Sequence, residues 1–149
     1  MGLEQCWHPW RILRTQHPDV EVSCRYRLPD RIMGLQRGRR IWIIRILTQA
    51  ERRCTLTHEL VHLERGPVPA EPLARAKEER KVDELAPRRL IPLPALIDAY
   101  RWCPAGHPAE LADELWVDIP TLRTRMATLD PFEVAELEHH LNGEWQWTS

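Results

Sequence analysis

His58, Glu59 and His62 stand in the run Thr57-His58-Glu59-Leu60-Val61-His62, two imidazoles four positions apart with a carboxylate beside the first. On a helix, residues i and i+4 share a face, so both rings can grip one ion while the carboxylate reaches a water beside it. That chemistry is zinc-dependent hydrolysis of a peptide bond, provided a third protein ligand joins and one position stays open. A chain with 7 His and this glutamate content yields His-Glu-x-x-His in roughly 3% of random shuffles. The pattern is informative on its own.

Two histidines bind zinc too weakly to organise catalysis, so a further ligand is needed. Glu78, Glu79, Asp83 and Glu84 crowd one downstream stretch. Glu79 and Asp83 are four apart and share a helix face. Glu79 is therefore expected as the third ligand, with Glu78 the runner-up. Asp83, one turn on, would accept the N–H of a metal-binding histidine and fix its tautomer. The plainer reading of this stretch is a solvated, charged helix face. With His58, His62 and Glu79 holding Zn²⁺ and water completing the site, Glu59 is the expected general base and then the acid for the departing amine. A donor to the developing oxyanion is also required. Tyr100, His107 and an arginine are the candidates. His8, His17, His139 and His140 read as surface or capping residues.

These groups need a scaffold, and the sequence supplies one. Val20, Val22, Cys24 and Tyr26 alternate along Val20–Arg27, which predicts a half-buried strand. Ile32–Leu35 predicts a second, and Arg37-Gly38 a turn. Ile41–Leu47, β-branched and nearly continuously apolar, predicts a well-covered third. Together they predict a small antiparallel sheet. Substrate backbone could add beside Ile41–Leu47 if that strand lies at the edge, although Trp42 reads more readily as core than as a substrate contact. Thr48-Gln49-Ala50-Glu51 is a capping box, so a helix should run from there to about Arg65 and stop at Gly66-Pro67. A second helix is expected from near Pro72 to about Leu90, bent or cut short at Pro87. Further helices are predicted at about 94–102, 108–116, 120–128 and 131–141, the last opened by the capping box Asp130-Pro131-Phe132-Glu133. A short helix around Trp7–Leu13 completes the reading.

The expected class is therefore α+β: a small sheet packed on the His-Glu-x-x-His helix, followed by an all-helical C-terminal part. The 149 residues divide into residues 1–103, a zincin-like core, and residues 104–149, a helical subdomain. No run approaches the ~18 apolar residues of a membrane span, and Glu4, Cys6 and His8 interrupt any signal-peptide layout. Cys6, Cys24, Cys54 and Cys103 form no Cys-x-x-Cys pair. They read as reduced thiols of a cytoplasmic protein, which argues against a zinc–cysteine site. The net charge of −1 hides an asymmetry. Eleven arginines face five acids in residues 1–56, and two face nine in residues 104–149. The basic half is either a solvated face or one that meets an acidic partner.

Residues 57–66, followed by Glu79-Arg80-Lys81-Val82-Asp83-Glu84-Leu85-Ala86 and Arg89-Leu90-Ile91-Pro92, resemble the ImmA/IrrE family of metallopeptidases. The likeness covers about residues 40–92. It implies a thermolysin-like zinc protease whose substrates are helix-turn-helix repressors of phage, mobile-element or DNA-damage genes. The chain departs from the family pattern in having Asp83 where Asn is frequent, Pro87 where Ala is usual, and a shortened connection between the two helices. A catalytically silent relative that binds a repressor without cutting it is the competing expectation. Residues 110–126 also resemble a helix-turn-helix, with Thr121–Met126 as its would-be recognition helix. That segment is too acidic for a DNA reader, and Trp116 replaces the usual turn glycine, so a helix pair that packs or meets protein is expected.

Overall fold

A computed structural model describes residues 7–148 and resolves ten elements among them. In chain order these are α1 (Pro9–Gln16), β1 (Glu21–Ser23), β2 (Gly34–Arg37), β3 (Arg40–Ile43), α2 (Gln49–Arg65), α3 (Pro72–Leu90), α4 (Leu93–Trp102), α5 (Pro108–Leu115), α6 (Ile119–Ala127) and α7 (Pro131–Leu141). The class is α+β, with the sheet near the N-terminus and helices thereafter. No helix among the described residues is long and apolar enough to cross a membrane. Cys6 lies outside the described residues. Cys24, Cys54 and Cys103 form no disulfide.

The chain divides into two units, His8–Ala86 and Pro87–Ser149, the second joined by Trp7. The division falls inside α3. In the first unit, the sheet is mixed, not antiparallel. Its order is β1-β3-β2, with β1 parallel and β2 antiparallel to β3. The apolar strand takes the centre: Ile41 and Ile43 are 1% and 0% exposed. The more polar β1 and β2 take the edges. β3 is thus not an edge strand, and no substrate backbone can add beside it. Trp42 between the two isoleucines is half-buried. Strands β2 and β3 are joined through Gly38-Arg39, with φ of 57° at Gly38, a conformation that glycine accepts without strain.

Two strands are shorter than their sequence patterns. β1 ends at Ser23, its pairing with β3 running from Glu21–Arg40 to Ser23–Trp42. β3 ends at Ile43, and Ile46 is 82% exposed. The chain leaves the sheet there to bring Thr48 to the start of α2. The capping box forms as expected: Glu51 N–H donates to Thr48 Oγ1 at 3.2 Å, and Thr48 N–H to Glu51 Oε2 at 2.7 Å.

Helix α2 is covered on two sides, which is why nine of its residues from Arg53 to His62 are buried. One side carries Leu56 and Leu60 into a cluster with Ile41, Ile43 and Leu13 of α1. The other side sets Val61 against Val82 and Ala86 of α3. Glu71 anchors α3 by accepting the N–H groups of Leu73 and Ala74 at 3.0 and 2.7 Å, satisfying donors that have no partner within the helix. α3 does not stop at Pro87 but continues to Leu90, and Ile91 N–H donates to the Pro87 carbonyl at 2.8 Å. The proline is buried. It forfeits one bond to the Asp83 carbonyl, and the turn on its C-terminal side is intact.

In the second unit α4 packs on α5 and α7, and α5 packs on α6. Trp116 makes the turn between α5 and α6 in the left-handed region, with φ 57° and ψ 45°. Glu133 opens α7 as the third residue of its capping box and has a second role. Its carboxylate accepts Arg125 Nη1 and Nη2 at 3.1 and 2.5 Å and Arg88 Nη1 at 3.1 Å. Arg125, 1% exposed, also donates Nε–H to the Ile91 carbonyl at 2.8 Å. Burial alone would raise the Glu133 pKa. The hydrogen bonds and charges of the arginines and the Asp130 N–H overcome it and bring the value down to about 2.

Candidate metal centre

The helical phase of α2 and the packing of α3 beside it bring His58, His62 and Glu79 together. One ligand atom from each lies within 4.8 Å of the others. His62 Nε2 is 3.1 Å from Glu79 Oε2, and the two imidazoles meet edge to face with centroids 4.9 Å apart. His62 is buried, whereas Glu79 is 43% exposed at its side chain, which leaves the cluster open on one side. Two imidazole nitrogens and one carboxylate oxygen form the donor set of a three-ligand zinc site with an open position. The residues present fit such an ion.

The surrounding groups bias the cluster toward a cation. Burial, followed by the charge of His62, lowers the His58 pKa against the pull of Asp83 and Glu79. The ring is thereby held neutral, the form that ligates metal. Asp83 Oδ1 stands 3.6 Å from His58 Nδ1, beyond a direct hydrogen bond but on the side that leaves Nε2 for an ion. His62 has no such neighbour. Its Nδ1 is buried with no hydrogen-bond partner among the described residues. A cation on Nε2 places the proton on that unpaired nitrogen, so one of the two rings lacks the acceptor that usually orients a ligand histidine.

Glu59 sits on the same helix, 7% exposed. Burial, reinforced by the Glu79 charge and opposed by Arg37, pushes its pKa up to about 7. A carboxyl in that range can take up and release a proton near neutrality. Strand β2 closes over it where Gly34 lies: a methyl carbon at Gly34 would fall 2.9 Å from Glu59 Oε1 and 2.6 Å from Thr55 Cγ2. Gly34 was not singled out by sequence reasoning. Its signal was available, since an isolated glycine in a strand marks a close approach. Arg37, whose charge reaches Glu59, carried no signal that distinguished it from its many neighbouring arginines.

The remaining candidates separate clearly. Glu78 is held by Arg65, at 2.5 and 3.0 Å, and is turned away from ligand duty. Tyr100 belongs to the second unit, where it is 0% exposed and donates its hydroxyl to the Gln146 carbonyl at 2.9 Å. His107, in the same unit, precedes α5 as an exposed residue whose side chain makes no capping bond. No protein-family model matches the chain, and no curated protein or solved structure matches it either.

Proposed function

We propose that the chain is a zinc-dependent endopeptidase of the ImmA/IrrE kind, acting on a protein substrate of the helix-turn-helix repressor class. The observation that carries this reading is the convergence of His58, His62 and Glu79 beside a buried Glu59. His58, His62 and Glu79 would hold the ion, which when bound supplies Lewis-acid activation of water and of the scissile carbonyl. Glu59 accepts the proton of the attacking water and returns it to the departing amine nitrogen. Extended substrate aligns along β2, an outer strand of the sheet.

A silent repressor-binding relative is the second reading, favoured by the unpaired Nδ1 of His62. DNA binding is disfavoured: Arg125, one of two arginines in α6, is buried against Glu133. Few cationic groups then remain on that helix to meet phosphates.

Zinc stoichiometry and cleavage, measured together on the parent and on Glu59→Gln, decide between the readings. One zinc per chain, with cleavage of a helix-turn-helix repressor that falls about 10²–10⁴-fold in Glu59→Gln while zinc is retained, is the expected result. A parent that takes up no zinc overturns the proposal. Zinc uptake with no cleavage by the parent leaves the silent reading.

A further inference from the structure

Beside the metal cluster, within the first unit, lies a cavity of about 560 Å³, inside the ~300–1,000 Å³ range of clefts that take small ligands. Glu79 lines it from α3, and Leu63 and Val68 supply apolar surface. Three guanidiniums also line it: Arg37 and Arg39 from the β2–β3 connection, and Arg75 from the start of α3.

Charge at this cavity does not cancel. Asp19 pairs with Arg39 and removes that guanidinium from the balance. Glu79 directs its carboxylate to His62. The C-terminal end of α2 contributes roughly half a negative charge. Arg37 and Arg75 each donate one N–H to a backbone carbonyl, of Gln36 at 3.0 Å and Pro69 at 3.2 Å. Neither has a carboxylate within ion-pair distance among the described residues. Each keeps further N–H groups for an incoming acceptor. Two guanidiniums therefore face one carboxylate, that of Glu79, which a metal ion on it would offset, and about half a negative charge from the helix end.

Resting on the hydrolytic reading above, we propose that this cavity receives the carboxylate side chain of an Asp or Glu in the substrate, close to the bond presented to the metal cluster. Guanidinium groups match a carboxylate in planar geometry as well as charge. Leu63 and Val68 meet the methylenes that carry it. The free carboxylate of a chain end has the same chemistry. The side chain is preferred because β2 leads into this cavity as an outer strand, so an extended substrate laid along it continues past.

The test is binding, read by fluorescence anisotropy with the Glu59→Gln protein and labelled, N-acetylated, C-amidated octapeptides. The peptides differ only in Glu or Gln at each position in turn. At one position Glu should bind about tenfold more tightly than Gln, and the difference should shrink as salt rises. Arg37→Gln with Arg75→Gln should erase the preference, and Arg75→Glu should favour Lys at the same position. Both arginines are exposed, so unfolding curves of the variants should match the parent, and the single variants serve if the double one does not fold. Equal binding of Glu and Gln peptides overturns the proposal, as does a preference that survives both arginine substitutions. A preference that follows a free C-terminus instead of the side chain overturns it too. Anisotropy needs no turnover, so the two readings fail separately. A charge preference in a protein that cleaves nothing removes only the hydrolytic reading. Cleavage by the parent that ignores charge removes only this one.

Discussion

Gly34 lies against Glu59 with no room for a side chain between them. A Cβ there would sit 2.9 Å from Glu59 Oε1 and 3.1 Å from its Cγ. The strand that bounds the site thus touches the proposed base through its backbone. Gly34→Ala should therefore displace the Glu59 carboxyl without touching His58, His62 or Glu79. A misplacement of about 1 Å is enough for a loss on the order of 10²-fold in kcat/KM, while zinc affinity should stay close to that of the parent. Overpacking should also lower stability by about 1–3 kcal/mol. Steady-state kinetics and a zinc titration on the same preparation check this. Undiminished turnover in a folded Gly34→Ala protein would show that the contact does not position Glu59.

Asp83 Oδ1 stands 3.6 Å from His58 Nδ1, and in the proposed site it would accept from that ring once the other nitrogen holds an ion. Replacing it by Ala removes the group that orients the ring, and zinc affinity should fall about 10–100-fold. Asp83→Asn keeps an acceptor oxygen and should recover most of that loss. Glu79→Ala removes a ligand outright and should cost more than either. Competition with a chromophoric chelator ranks the three. An Asp83→Ala protein that binds zinc as tightly as the parent removes Asp83 from the site.

Local rules located the candidate site well and the sheet poorly, and the reason is physical. His58, Glu59 and His62 lie within one turn and a half of a helix whose cap is written in Thr48 and Glu51. Glu79 and Asp83 are tied to them by the phase of one neighbouring helix. Nothing there depends on distant pairing. The sheet order does: β3 lies between β1 and β2 because Ile41 and Ile43 bury more apolar surface than their neighbours. Consecutive strands suggested a hairpin series, and only the competition for the centre of the sheet decides otherwise. Pro87 does not cut α3 short of the expected Leu90 for a similar reason, since its cost is local while its burial is tertiary. The double use of Glu133, as cap and as arginine acceptor, needed Arg88 and Arg125 in place before it could be seen.

Glu133 should give the C-terminal unit an acid-sensitive core. Its pKa in the folded chain, about 2, lies below the ordinary 4.5. A carboxyl lowered in this way stabilises fully above about pH 4.5, and the contribution is lost as pH falls toward 2. The drop corresponds to roughly 3 kcal/mol. Glu133→Gln should remove about 3–5 kcal/mol at pH 7, because it leaves the buried Arg125 without its carboxylate. It should also flatten the dependence of stability on pH between about 4.5 and 2. Urea unfolding at a series of pH values tests both. A Glu133→Gln protein with the same acid profile as the parent would place the sensitivity elsewhere.

Gly106 offers a second test in the same unit. With φ of 67°, it holds a conformation that side chains rarely adopt, and a Cβ there would fall 1.8 Å from the Gln146 carbonyl oxygen. That oxygen is the acceptor for the buried Tyr100 hydroxyl, and Trp145 stacks edge to face on the Tyr100 ring with centroids 5.6 Å apart. Gly106→Ala cannot be absorbed by rotating a flexible side chain, because the obstacle is backbone. The segment bearing Gln146 must move, and Tyr100 then loses its partner at a cost of about 1–3 kcal/mol, beyond about 1 kcal/mol for the left-handed backbone. Tyr100→Phe deletes the hydroxyl with its bond and should cost less than Gly106→Ala. Denaturant unfolding followed by circular dichroism compares the three stabilities. Equal stability of Gly106→Ala and the parent would mean that residues around Gln146 contribute nothing to holding Tyr100.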